Sequence, residues 1–158
     1  MPTQREFWAQ KPVTPVYETI TFAHSELGTI RLVNGVFDTV ALGGDLFYPA
    51  KMDVSVPAQG RDPIPKLRVS FPRISAGRQF TVALAALTVA GRREPITVTY
   101  QQWIDGTVTS SFTLWVTDDE GVSMNADSIT VVASDDNPMR RNVSIIYSVD
   151  VWTGLEQI

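Results

Sequence analysis

Apolar and polar positions alternate with a period of two along most of the chain. In residues 17–22 (YETITF), Tyr17, Thr19 and Thr21 fall on one side, and Glu18, Ile20 and Phe22 on the other. That is the pattern of a strand whose two faces meet different surroundings. Residues 29–33 (TIRLV) run into Asn34-Gly35, a dipeptide suited to a two-residue hairpin because both positions of that turn take positive φ. Residues 39–42 end at Gly43-Gly44, read as another turn, and 46–48, 52–56 and 67–71 follow. Residues 96–103 (ITVTYQQW), 111–116 (SFTLWV), 128–132 (SITVV) and 143–151 (VSIIYSVDV) are rich in β-branched and aromatic side chains, which pack well on a pleated surface. Short strands at this spacing, with turn residues between them, predict a β-sandwich or barrel.

One segment changes period. In residues 75–90 (SAGRQFTVALAALTVA), Phe80, Ala83, Leu84 and Leu87 recur at the spacing of one helix face. Ser75 stands where an N-cap belongs and Gly91 where a helix ends. The expectation is one helix in mid-chain, with Phe80, Leu84 and Leu87 buried against the sheet. Residues 57–66 (PAQGRDPIPK) hold three prolines and a glycine and read as a long loop, because proline removes a ladder donor and fixes φ. Residues 118–121 (DDEG) and 135–141 (DDNPMRR) read as turns.

With 158 residues, 44% apolar, the chain suffices for one domain with a real core. Charged residues make up 19% and the net charge is −4; a free-standing nucleic-acid binder normally shows a basic excess. The absence of cysteine excludes disulfides, thiolate metal sites and thiol catalysis. The N-terminal stretch lacks the apolar segment of a signal peptide, and the longest uncharged run, residues 79–91, is far shorter than the ~20 apolar residues of a membrane span. A soluble protein that stays in the cell that makes it is expected. Charge is unevenly spread. Residues 51–94 carry eight basic against three acidic residues, and residues 105–158 nine acidic against two basic. The simpler reading has the two halves neutralise each other within one domain; the sharper one has them meet between subunits.

The catalytic inventory is thin. His24 is the single histidine and reads as a hydrogen-bonded structural residue. Ser25 beside it makes no triad without an orienting third group and an oxyanion hole, and there is no G-x-S-x-G elbow. The runs Asp118-Asp119-Glu120 and Asp135-Asp136-Asn137 lack the spacing of a calcium loop. Gly43-Gly44 lacks the lysine and hydroxyl of a phosphate loop. Trp8, Trp103, Trp115 and Trp152 do not interleave with a basic stripe, so a stacking platform for single-stranded nucleic acid is not expected. No catalytic residue, cofactor or metal site is predicted.

The runs FAHSELGTIRLVNG and FYPAKMDVSVP, then FPRISAGRQFTVALAAL leading into PITVTYQQW, and the closing ITVVASDDNPMRRNVSIIYSVDVWTG, together resemble a family of small tail-tip proteins of long-tailed bacteriophages. The likeness spans residues 17–154 and rests on pattern and order. It implies a distal or minor tail protein, made in the bacterial cytoplasm and built into the virion tail. The fold implied is mainly β with one helix, a split β-barrel or sandwich of the tail-tube type. The partners implied are further copies in a ring, hexameric in preference to trimeric, with the tail-tube protein above and the tail hub below. On this reading residues 1–16 form an N-terminal arm and 17–158 the hub domain. Subunit contacts are expected at Phe7 and Trp8 of the arm, at the basic Arg61, Arg92 and Arg93, and at the acidic Asp118, Asp119, Glu120, Asp135 and Asp136. The alternative is a carbohydrate- or protein-binding β-sandwich module, for which Tyr100 with Trp103, or Trp115, would supply exposed aromatics on a sheet face.

Overall fold

The computed structural model describes residues 14–56, 66–117 and 121–135. Among them the alternating pattern forms ten strands: β1 (Val16–His24), β2 (Gly28–Val33), β3 (Val40–Leu42), β4 (Asp45–Pro49), β5 (Asp53–Ser55), β6 (Lys66–Pro72), β7 (Thr97–Ile104), β8 (Thr107–Val116), β9 (Val122–Met124) and β10 (Ser128–Ser134). One helix, α1 (Ala76–Ala85), and a 3-10 turn, Gly91–Arg93, lie between β6 and β7. The strand order is β3-β4-β2-β1-β7-β8-β10-β6-β5, with β9 on β10. All pairs are antiparallel except β2 with β4. The expected class, mainly β with one helix and sandwich-like, is what is found.

The sheet folds over itself at a short ladder. β8 and β10 meet at two residue pairs alone, Val116 with Ala133 and Trp115 with Ser134. The apolar faces on either side of that seam then share one core. Ile20, Phe22, Leu32, Val98, Tyr100 and Leu114 come from one side, and Leu67, Val69, Phe71, Ile129, Val131 and Ala133 from the other. α1 closes this core with Phe80, fully buried, whose ring lies 4.9 Å from Phe22 and 5.6 Å from Phe71. Burying each such side chain contributes roughly 1.5–3 kcal/mol. The opposite face of β2, β1 and β7 is covered by the β3–β4 hairpin, and there Val33, Leu42, Phe47 and Trp103 form a second, smaller cluster. No helix among the described residues is long and apolar enough to cross a membrane.

Several local expectations are corrected. The helix stops at Ala85, and Leu84 and Leu87 are half-buried rather than buried. The α-helical pattern is already lost at Leu87, whose N–H bonds the Leu84 carbonyl, and beyond it a residue distant in sequence takes over. Glu26 takes the Thr88 N–H at 2.9 Å and the Thr88 hydroxyl at 2.5 Å, and in a continuing helix that N–H would bond the Leu84 carbonyl. Gly91 therefore opens the 3-10 turn instead of ending α1. Ser75 precedes α1 with φ 48° and ψ −115° and caps it with no side-chain hydrogen bond. Asn34-Gly35 makes no hairpin, because β2 pairs with β1 and β4. Asn34 instead ties three segments together: its carboxamide donates to Glu18, its backbone N–H bonds the Glu18 carbonyl, and its Oδ1 accepts the Met52 N–H. The tight turns with two positive φ values are Gly43-Gly44 and Asp105-Gly106, the second not anticipated, nor was β9. β1 begins at Val16, inside the stretch assigned to the arm, and Pro15 accepts the Asp105 N–H. The strand expected at residues 143–151, nearly all of the 57–66 loop and most of both acidic turns lie outside the described residues.

Candidate functional site

The expected interface residues are placed only in part. Arg92 and Arg93 are exposed on the 3-10 turn, and Asp135 is exposed where β10 ends. Phe7, Trp8, Arg61, Asp118, Asp119, Glu120 and Asp136 lie outside the described residues. Among the described residues the ion pairs are Arg31 with Asp45 and the His24–Glu94 contact. Neither Arg92 nor Arg93 has an ion-pair partner among the described residues, and most of the acidic residues of the C-terminal half lie outside them.

The turn that carries these arginines is held from three sides. His24, at the end of β1, donates from Nε2 to the Gly91 carbonyl at 2.9 Å and accepts on Nδ1 the N–H groups of Glu26 and Leu27. This pattern assigns the proton to Nε2. Glu26 lies so close to Gly91 that a Cβ at that position would sit 2.2 Å from its Oε2, so a larger residue there would push the carboxylate aside. The Thr88 hydroxyl and N–H hold the Glu26 carboxyl below its ordinary value, with a smaller contribution from His24. Ser25 donates to the Glu94 carboxylate. His24, Ser25 and Glu94 are thus neighbours in space, yet Nε2 of His24 is engaged by a backbone carbonyl and the Ser25 hydroxyl by Glu94. The serine faces the Glu94 carboxylate and not the imidazole, so no serine–histidine pair forms, and His24 holds a turn by hydrogen bonds, as expected for it.

The aromatic platform of the alternative reading is not assembled as expected. Tyr100 and Trp103 are 4% and 7% exposed. Tyr100 faces the main core, stacks on Phe112 with ring centres 5.0 Å apart, and donates its hydroxyl to Glu18. Burial first, then the Glu18 charge and its hydrogen bond, push the Tyr100 hydroxyl up to about 12. Trp103 faces the opposite side, donating Nε1–H to the Thr19 hydroxyl at 3.0 Å. Only Trp115 remains half-exposed on a sheet face.

That opposite face carries a feature not anticipated. Cross-strand register sets Arg31, Thr21, Thr99 and Thr113 side by side across β2, β1, β7 and β8. Where the β3–β4 hairpin leans over this row, a cleft of about 360 Å³ opens, lined by Thr21, Arg31, Asp45, Thr99 and Gln101, with Leu42, Phe47 and Trp103 as its apolar wall. Arg31 and Asp45 pair across its mouth at 3.1 Å. The sequence signal was the run of Thr and Gln on the polar side of β1 and β7; which strands stand next to each other was not readable from it. Comparison with protein-family models and with curated proteins returns no match.

Proposed function

We propose that this chain is a structural protein of the tail tip of a long-tailed bacteriophage. It forms a ring, hexameric in preference to trimeric, that adapts the tail tube to the hub, and it performs no catalysis. The observation that supports this reading is the order of parts. Strands precede and follow a single mid-chain helix, and that helix packs its one fully buried aromatic, Phe80, on a folded sheet; the family resemblance implies the same order. The Arg92–Arg93 corner fits the role. A closed ring uses heterologous contacts, in which one patch meets a different patch on the next copy. Two arginines on a rigid turn, without an ion-pair partner among the described residues, are such a patch.

The test is assembly. Co-expressed with the tail-tube and hub proteins of its phage, the chain is expected in a complex of cyclic symmetry, visible by electron cryo-microscopy. Arg92→Glu with Arg93→Glu is expected to weaken that complex, more at low salt than at high salt, because exposed charges are screened beyond about a Debye length. A chain that elutes alone near 17.5 kDa in the presence of both proteins overturns the reading.

A further inference from the structure

The cleft beneath the β3–β4 hairpin has a composition that points to one class of ligand. Its charged pair is internally neutral: Arg31 and Asp45 stand 3.1 Å apart, so neither an anion nor a cation gains a free countercharge. Its remaining polar groups are uncharged. The Thr21 hydroxyl and the Gln101 carboxamide are half-exposed and make no hydrogen bond within the described chain, and Thr99 bonds only to Thr113 at 3.2 Å. Each free group offers both a donor and an acceptor. Neighbouring strands are ~4.8 Å apart, so the row presents hydrogen-bonding groups at short, regular intervals on a flat surface. The wall opposite is apolar, with Phe47 and Trp103 in edge-on contact, ring centres 6.3 Å apart. The cleft falls at the small end of the 300–1,000 Å³ range typical of small-ligand sites. Gly43 turns the hairpin directly over Trp103, where a Cβ would lie 2.9 Å from the indole ring, and the Arg31–Asp45 pair fixes the hairpin to β2.

We propose that this cleft binds a neutral sugar unit of a glycan. A pyranose ring has the matching chemistry. Its hydroxyls donate and accept, as Thr21, Thr99 and Gln101 require. Vicinal hydroxyls suit the carboxylate of Asp45 and the fork of Arg31, and a C–H edge of the ring suits the small apolar area that the largely buried Leu42, Phe47 and Trp103 leave in the cleft. This site goes beyond the tail-tip reading and does not rest on it; a glycan contact is available to the free chain.

The experiment is a titration of the full chain with maltoheptaose, cellohexaose, chitohexaose and, as charged controls, a heparin oligosaccharide and inorganic phosphate. Binding is followed by calorimetry and by tryptophan fluorescence. Saturable binding of at least one neutral oligosaccharide is expected. Asp45→Asn, on the exposed hairpin, and Gln101→Ala are each expected to weaken it about three- to tenfold, the loss of one hydrogen bond. Thr130→Val, on β10 and remote from the cleft, is expected to leave it unchanged. Far-ultraviolet circular dichroism checks that each variant is folded; if Gln101→Ala fails that check, Asp45→Asn decides the outcome. Absence of saturable binding by all three neutral oligosaccharides overturns the proposal. So does binding confined to the charged controls, or neutral binding that Asp45→Asn leaves intact.

Discussion

The two faces of the β2–β1–β7 layer are covered in different ways. One face presents Ile20, Phe22, Leu32, Val98 and Tyr100 to a folded-over second layer and to α1, and its largest side chains are fully buried. The other presents Thr21, Thr99 and Gln101 beside Val33 and Trp103, and its cover is a single hairpin of two short strands. Alternation along each strand assigns the residues to their faces; what packs above decides what each face does. The first face stabilises the fold. The second leaves polar groups without partners in a place that solvent reaches, which is where recognition chemistry belongs.

The largest test of this contrast is Phe80→Ala. Phe80 touches both Phe22 and Phe71, from the two layers that the fold brings together. Its removal leaves a cavity at their junction and is expected to cost about 3–5 kcal/mol, read as a lowered urea midpoint. Phe47→Ala removes the main apolar contribution of the hairpin to the smaller cluster. It is expected to cost about 2 kcal/mol, with faster amide exchange confined to β3 and β4. If the two variants destabilise equally, the faces are not different in kind and the comparison fails.

A third test uses the hydroxyl that the main core holds at its edge. Tyr100 has its ionisation pushed up to about 12 by burial and by Glu18, whereas in the unfolded chain a tyrosine ionises near 10. The folded state therefore keeps this proton where the unfolded state loses it. The corresponding stability is fully present below about pH 10 and is lost as pH rises through about 12. A spectrophotometric titration at alkaline pH is expected to show a late-ionising tyrosine that Tyr100→Phe removes. Glu18→Gln is expected to bring it part of the way back, since burial remains the larger cause. A set of tyrosines that all titrate together near 10 would remove Tyr100 from the core.

Much of this architecture is local and was legible. The strands around Ile20, Val98, Leu114 and Ile129 follow from period-two alternation, and the helix around Phe80 from the i, i+3, i+4, i+7 set. What was not legible depended on partners far along the chain. Thr88 looks like a helical residue until Glu26, 62 positions away, claims its N–H. Asn34-Gly35 looks like a hairpin until β4 pairs with β2 in parallel and Asn34 is spent on Glu18 and Met52. Tyr100 and Trp103, expected as exposed aromatics on a sheet face, differ from these cases: three positions apart on one strand, they fall on opposite faces by alternation alone. Each is buried in its own cluster, and neither is left open. The cleft was hidden as the roles of Thr88 and Asn34 were: Arg31, Thr21 and Thr99 are ordinary strand residues until the register sets them in one row.

The smallest effect concerns the corner that joins the two faces at the end of β1. Glu26 is exposed, yet its carboxyl is held below its ordinary value of 4.5, mainly by the Thr88 hydroxyl and then by the Thr88 N–H. A carboxyl whose ionisation is lowered by folding stabilises the folded state above the unfolded value, and that contribution disappears as pH falls through the lowered one. The acid limb of stability is therefore expected to include a component from the 3-10 turn, below pH 4.5. Thr88→Val removes the largest cause and leaves the backbone N–H in place. In this variant the Glu26 carboxyl resonance is expected to titrate closer to 4.5, and the amides of Gly91, Arg92 and Arg93 to exchange faster. The Phe80 core and its amides are expected to remain as they are. A variant in which Glu26 titrates as in the parent would assign the shift to the Thr88 N–H and His24, and the turn beneath the two arginines would then be held by its backbone rather than by the hydroxyl.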